Sequence, residues 1–225
     1  MDIGNKEFFC SWSGGKDSSL AYYYTVENGG IPAALVTTLL ESGERTRAHG
    51  LSVDMLERQA ENMDSRLITC PTSWEDYEQN FIDLLSCLNK ENNIELGVFG
   101  DIELDGHREW VEKVCEIAGF QAHLPLWHKS RRELICNFIE LGFEAIVIVV
   151  DDEVLDQSFL GRTLDMAFIA EMERLELDPA GENGEYHTVV VDGPIFEKAV
   201  DYELGEIKRD NGKWYQNITP VSGGR

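Results

Sequence analysis

Six consecutive residues, Ser13-Gly14-Gly15-Lys16-Asp17-Ser18, have the types and spacing to hold a phosphate chain. They follow a short apolar run, Glu7 to Trp12, and precede an amphipathic stretch, so the expected setting is strand, glycine turn, helix. Glycines let the backbone approach a ligand closely, and the exposed N–H groups at a helix start stabilise negative charge. Ser11, Ser13 and Ser18 add hydroxyl donors and Lys16 adds a cation. A Walker A loop requires G-x-x-x-x-G-K-[ST], which is absent here, as is the dinucleotide fingerprint G-x-G-x-x-G.

Two downstream strings also carry chemistry. Gly181-Glu182-Asn183-Gly184-Glu185-Tyr186-His187-Thr188 places Glu182 and Glu185 in a glycine-rich loop. There they would hold ammonium, a cationic substrate group or Mg²⁺, or else form a solvated acidic turn. Leu160-Gly161-Arg162-Thr163-Leu164-Asp165 is the second. Asp101, after the segment Leu96 to Gly100, is expected at the carboxyl edge of a sheet, where open α/β folds bind ligands; a helix cap or loop carboxylate is its plainer reading. Thr37 and Gly100 join Asp101 as candidate nucleotide contacts. His49 lies in a loop after the second strand, and His107 with Arg108 opens a helix near the same edge.

The elements that must position these residues alternate. Strands are expected at Glu7–Trp12, Ala33–Leu40, Arg66–Cys70, Leu96–Gly100 and Gln121–Leu124. Between them, helices are expected at Asp17–Glu27, Ser52–Met63, after Ser73, and at Gly106–Ala118. Tyr77, Phe81, Leu84, Leu85 and Leu88 form one apolar stripe on the third of these helices. Strands separated by single helices imply a parallel sheet. Beyond Trp127 the pattern changes. Ser130 and Glu133 open a helix with a capping-box pattern, and a buried strand runs from Ala145 to Val150. A helix follows around Arg162–Leu175, then a strand at His187–Val191 and a hairpin turning at Asp210-Asn211-Gly212. The expected division is a nucleotide-binding domain over 1–128 and a smaller α+β substrate domain over 129–225.

Composition narrows the function classes. The 225 residues are 43% hydrophobic, enough for a real core, and no apolar run reaches membrane-spanning length. No secretory signal is read at the N-terminus, so a cytoplasmic protein is expected. A formal net charge of -23, with no strong basic cluster, opposes a nucleic-acid partner. Five scattered cysteines without a C-x-x-C suggest neither a disulfide framework nor a metal site, and most are expected to be buried.

The string Ser13–Ser18 resembles the pyrophosphate loop, S-G-G-x-D-S, of the N-type ATP pyrophosphatases at all six positions. With the two downstream strings and Asp192-Gly193-Pro194-Ile195-Phe196, nearly the whole chain resembles the diphthine–ammonia ligase family. The resemblance implies a HUP-like α/β fold: a parallel five-stranded sheet with flanking helices, plus a smaller α+β C-terminal domain. It implies an ATP-dependent ligase that adenylates a carboxylate, releases pyrophosphate and amidates the product with ammonia. In the family the carboxylate belongs to diphthine on translation elongation factor 2. ATP and Mg²⁺ are the implied cofactors. Lys16, Asp17, Glu182 and Glu185 are the implied catalytic residues. Ser11, Ser13, Gly14, Gly15, Lys16, Asp17, Ser18, Thr37, Gly100 and Asp101 would bind nucleotide. His49, His107, Arg108, Gly161, Arg162, Gly184 and Tyr186 would bind substrate. The chain departs from the family over Gly100–Trp110, where a Tyr-Gln-Arg-like stretch is expected, and at His187, where the family more often has Glu. These departures leave the acceptor carboxylate open. No glutaminase module is expected, so ammonia would come free or from a partner, and a homodimer is one expected assembly. Two competing readings are a tRNA-thiolating enzyme, opposed by the charge and the missing C-x-x-C, and a non-catalytic nucleotide sensor in the style of the universal stress proteins.

Overall fold

A computed structural model describes residues 3–91 and 93–221. The chain divides into two compact units. Of the described residues, the first unit comprises those up to Ser13, then Asp17–Arg47 and Ser65–His128; the second comprises Gly14–Lys16, Ala48–Asp64 and those from Lys129 onward.

The first unit is built on β1 (Glu7–Ser11), β2 (Ile31–Leu39), β3 (Leu67–Pro71), β4 (Ile94–Val98) and β5 (Gln121–His123). These form one five-stranded sheet in the order β3-β2-β1-β4-β5, parallel throughout. The parallel α/β arrangement anticipated from the alternating pattern is therefore present. The helices are α1 (Lys16–Glu27), whose first residue belongs to the second unit, α3 (Tyr77–Glu91) and α4 (Asp105–Ala118). The α3 stripe is inward: Phe81, Leu85 and Leu88 are buried with Phe9, Val36, Phe99, Val111 and Val114 in one core. Each large apolar side chain so buried is worth about 1.5–3 kcal/mol. Gly119, at φ 84°, ends α4 in the left-handed conformation that favours glycine. The chain starts in mid-sheet and β1 is flanked by β2 and β4, so the strand order reverses at the carboxyl ends of β1 and β4.

The second unit contains α2 (Val53–Asn62), α5 (Arg131–Glu140), β6 (Glu144–Asp151), a single 3₁₀ turn (Gln157–Phe159), α6 (Met166–Arg174), β7 (Tyr186–Asp192), β8 (Tyr202–Asp210) and β9 (Lys213–Pro220). Its four strands form an antiparallel sheet in the order β7-β6-β9-β8. β6 is buried from Ala145 to Val150, as its unbroken apolar run requires. Asn211 and Gly212, at φ 46° and 77°, make the tight turn between β8 and β9. Ser130 caps α5 by accepting from the Glu133 amide.

Three expectations are corrected. The helix anticipated from Arg162 starts at Met166, capped by Asp165, because Gly161–Leu164 instead exchange backbone bonds with Val147 and Ala145 of β6. Ser73 does not cap α3 directly; it closes the turn before it by accepting from the Asp76 amide. Only Cys10 and Cys115 are buried, whereas Cys70 and Cys136 are half-buried and Cys87 is exposed on α3. Among the described residues no helix is long and apolar enough to cross a membrane.

Candidate functional site

The glycine string is shared between the units: Ser13, Asp17 and Ser18 belong to the first, Gly14–Lys16 to the second. In the first unit, Ser13 Oγ and Ser18 Oγ lie 3.1 Å apart, across the start of α1. Ser11 closes β1 opposite Val36. Thr37 donates its hydroxyl to the Trp12 carbonyl at 2.6 Å, bracing the exit of β1. Gly100 must be a glycine, since a Cβ there would meet the Asp17 carbonyl carbon at 2.8 Å and the Ser18 nitrogen at 3.0 Å. The start of α1 thus passes directly over the end of β4, where the strand order reverses. Beside it, Asp101 Oδ1 is 3.2 Å from His107 Nδ1. Burial pushes the Asp101 carboxyl above its ordinary value; the His107 hydrogen bond and charge pull it back, and Asp17 adds a smaller upward push. Arg108 lies over the Trp127 ring and pairs with Glu112 at 2.7 Å along α4.

In the second unit Gly14–Lys16 runs against β7. Gly14, at φ 79°, accepts at its carbonyl from the Val190 amide at 2.9 Å and from Gln59 Nε2 at 3.0 Å. Two residues on, the Lys16 amide donates to Thr188 Oγ1 at 3.2 Å. Lys16 is buried, with Nζ 3.3 Å from Glu182 Oε1 and 5.9 Å from the centroid of the Tyr186 ring. His49 packs on the loop: a Cβ at Gly15 would lie 2.5 Å from its Cε1. Its Nδ1 is 2.9 Å from the Thr188 carbonyl, which can only accept, so this nitrogen carries the proton. The His49 and His187 rings are 4.9 Å apart. Burial holds the His187 pKa well below the ordinary value, and the charges of His49, Lys213 and Lys16 lower it further. His187 is therefore neutral at neutral pH.

The two glutamates of the acidic loop differ in what they touch. Glu185 is buried and accepts from the amides of Asp178 and Asn183, at 3.3 and 3.0 Å, and from the Asn183 side chain at 3.0 Å. It shapes the loop from inside. Asp178 does the same from the other end, accepting from the amides of Ala180 and Glu182 while pairing with Arg131. The tight backbone has a second cause, because a Cβ at Gly181 would meet the Tyr186 ring at 2.8 Å. Tyr186 donates to the Pro179 carbonyl at 2.6 Å, and Gly184, at φ 90°, accepts from Lys213. The loop is built rigidly from carboxylates and amides, and its product is Glu182 held against Lys16.

Of the substrate-binding candidates in this unit, His49 and Tyr186 adjoin Lys16 or its loop, and Gly184 lies in the acidic turn. Arg162 is engaged differently. Its guanidinium sits over the Phe159 and Phe168 rings at 4.8 and 5.3 Å and pairs with Glu171 at 2.8 Å. Gly161, at φ 76°, makes the turn that carries Arg162 back to β6. Sequence reasoning missed Gln59, Asp178, Thr188 and Arg131. Gln59 had a readable signal, a polar residue amid Met55, Leu56 and Ala60 on the buried face of α2. Among the described residues no three His, Cys, Asp or Glu side chains converge as a metal site.

Two family models cover the chain: a diphthamide synthase N-terminal domain matches residues 7–122, and a diphthamide synthase C-terminal domain matches residues 130–221. A diphthine–ammonia ligase of Schizosaccharomyces pombe is 28% identical over 84% of this chain and 34% of its own length. The human diphthine–ammonia ligase is 27% identical over 65% of this chain and 56% of its own. The chain thus spans between a third and just over half of these curated relatives. A solved structure described as a predicted subunit of a tRNA methyltransferase from Methanocaldococcus jannaschii aligns with a TM-score of 0.47 at 16% identity, over 87% of this chain and all of that one.

Proposed function

We propose that this chain, which belongs to the diphthamide synthase family, is an ATP-dependent ligase that converts a carboxylate to an amide. The observation that carries the reading is the Ser13–Ser18 string with its buried cation: Lys16 sits on a glycine turn, with Nζ 3.3 Å from Glu182 Oε1. A polyphosphate brings more negative charge than one carboxylate, so it would draw Lys16 from Glu182.

The reaction proceeds in two steps. A carboxylate oxygen of the acceptor attacks the α-phosphorus of ATP, and the bond from that phosphorus to the bridging oxygen breaks. Pyrophosphate leaves and an acyl-adenylate remains. Ammonia then attacks the acyl carbon, AMP departs with its oxygen, and the nitrogen loses one proton as the amide forms. Charge accumulates on the departing pyrophosphate, and Lys16 with the Ser13 and Ser18 hydroxyls would stabilise it. Glu182, relieved of Lys16, would hold ammonium and take up the proton whose loss frees ammonia for attack. Glu185, Asp178 and Gly184 would keep that carboxylate in place. His49, on Gly15, would contact the phosphates or the acceptor. Mg²⁺ favours a site completed by substrate phosphates with one or two carboxylates. Asp17 or Asp101 would supply them. Mg²⁺ would add neutralising charge to the phosphates. Diphthine on elongation factor 2 is the first acceptor to test. The departures at His187 and over Gly100–Trp110 favour including other carboxylates beside it.

The test is incubation with ATP labelled at the α-phosphate, Mg²⁺, ammonium and an acceptor panel led by diphthine-bearing elongation factor 2. AMP and pyrophosphate in equal amounts support the ligase. ADP as the product, or nucleotide binding without turnover on any acceptor, refutes it. Lys16→Ala should abolish AMP formation in a chain that still unfolds cooperatively.

A further inference from the structure

Gln59 sits where packing alone would place an apolar residue. Its buried neighbours on α2 are Met55, Leu56, Ala60 and, one turn on, Asn62, and Gln59 itself is fully buried. An amide buried there without partners would cost about 1–3 kcal/mol. Its Nε2 instead reaches two backbone carbonyls from separate segments, Gly14 at 3.0 Å and Val190 at 2.7 Å. Both are acceptors, so both must be met by the N–H₂ end, and this settles the amide's orientation.

β7 is the terminal strand of its sheet, and three of its backbone groups are taken up by the glycine loop and its supports. The Val190 amide donates to Gly14, the Val190 carbonyl accepts from Gln59, and the Thr188 carbonyl accepts from His49. The Gln59 amide therefore ties the first glycine of the loop to β7, and the Gln59 side chain also fills the space beside that glycine. A Cβ at Gly14 would lie 2.8 Å from Gln59 Oε1 and 2.7 Å from Leu51 Cδ1.

We propose that Gln59 is a positioning residue for the triphosphate, holding Gly14 against β7 so that the loop's amides and Lys16 are set before ATP arrives. It touches no ligand itself and acts through Gly14. The proposal rests on the reading of Ser13–Ser18 as the ATP loop. Preorganisation of this kind raises affinity by removing an ordering cost from the binding step.

Gln59→Met keeps the volume and removes both donors. ATP and AMP binding are measured by calorimetry on the full chain, alongside thermal unfolding without nucleotide. The expected result is a tenfold or greater loss of ATP affinity with AMP affinity within about threefold of the parent, because AMP lacks the pyrophosphate that the loop would hold. ATP affinity within twofold of the parent overturns the proposal. So does an equal loss for both nucleotides with a lowered unfolding temperature, which would mark a packing role. If Gln59→Met does not fold, Gln59→Leu carries the same test, since its apolar side chain also offers no donor to either carbonyl. A parent chain that binds no ATP overturns both this proposal and the ATP-loop reading. A parent that binds ATP but forms no amide overturns the ligase reading alone.

Discussion

Replacing Glu182 by Gln should weaken the unliganded protein and tighten its hold on ATP. Lys16 Nζ and Glu182 Oε1 are 3.3 Å apart, with side-chain exposures of 9% and 22%. At an effective dielectric constant near 20 this separation corresponds to a gross Coulomb attraction of about 5 kcal/mol. Most of that is offset by the hydration both groups give up and by screening at the partly open Glu182. A net loss of about 1–2 kcal/mol on removing one partner is the working figure, and it should appear as a lower unfolding temperature without nucleotide. Nucleotide binding moves the other way. In the parent chain the phosphates must displace Glu182 from Lys16 and then tolerate its charge nearby; in Glu182→Gln they do neither. An affinity gain of about five- to tenfold for ATP corresponds to about 1 kcal/mol. ATP should therefore raise the unfolding temperature of the variant more than that of the parent. Titration calorimetry at two ionic strengths reads both effects. The gain should shrink at higher salt, because part of it is electrostatic. Weaker ATP binding by Glu182→Gln would refute the reasoning, because it would mean that the carboxylate attracts the nucleotide, through a metal ion or a hydrogen bond, rather than competing with it for Lys16.

Gly15→Ala should lower ATP affinity at least tenfold, measured by the same titration, because the new methyl would lie 2.5 Å from His49 Cε1 and 3.1 Å from the Thr188 carbonyl. His187 should make folding stability pH-dependent. Its pKa is depressed in the folded chain, so below about pH 6.5 the unfolded chain binds more protons, and stability is complete above that value and falls as the pH drops beneath it. His187→Gln should flatten this limb by up to about 1.4 kcal/mol per pH unit, read from denaturant unfolding between pH 7.5 and 5. Arg162→Lys should lower stability by about 1–2 kcal/mol through loss of the planar contact with Phe159 and Phe168 and the Glu171 pair, while ATP affinity stays unchanged. An ATP affinity that falls with it would place Arg162 in the binding machinery.

Local physics made much of the fold readable from residue types alone. The alternation of apolar runs with amphipathic stretches specified the parallel sheet, because each element's period follows from its own backbone geometry. The α3 stripe and the Asn211-Gly212 turn were equally plain. The glycine string is a legible candidate for the same reason: the glycine, hydroxyl and cation requirements of a phosphate loop act within six neighbouring residues. Contacts between distant segments carry no such local mark. That Gly14–Lys16 is tied to β7 depends on Thr188 and Val190, more than 170 residues away, and on Gln59, whose place beside Met55, Leu56 and Ala60 hints at burial without naming its partners. The two acidic residues of the glycine-rich turn look alike as letters, yet Glu185 is turned inward to bind amides and Glu182 reaches Lys16. Arg162, charged and beside a glycine, reads as a ligand contact, and nothing in its local sequence shows that its guanidinium lies over two aromatic rings. Sequence by itself determined the α/β frame and singled out the glycine string as the place to look for a phosphate. Only tertiary structure decided which carboxylate meets the lysine and what holds the loop in place, because those outcomes depend on burial and on donors and acceptors that the chain brings together only when folded.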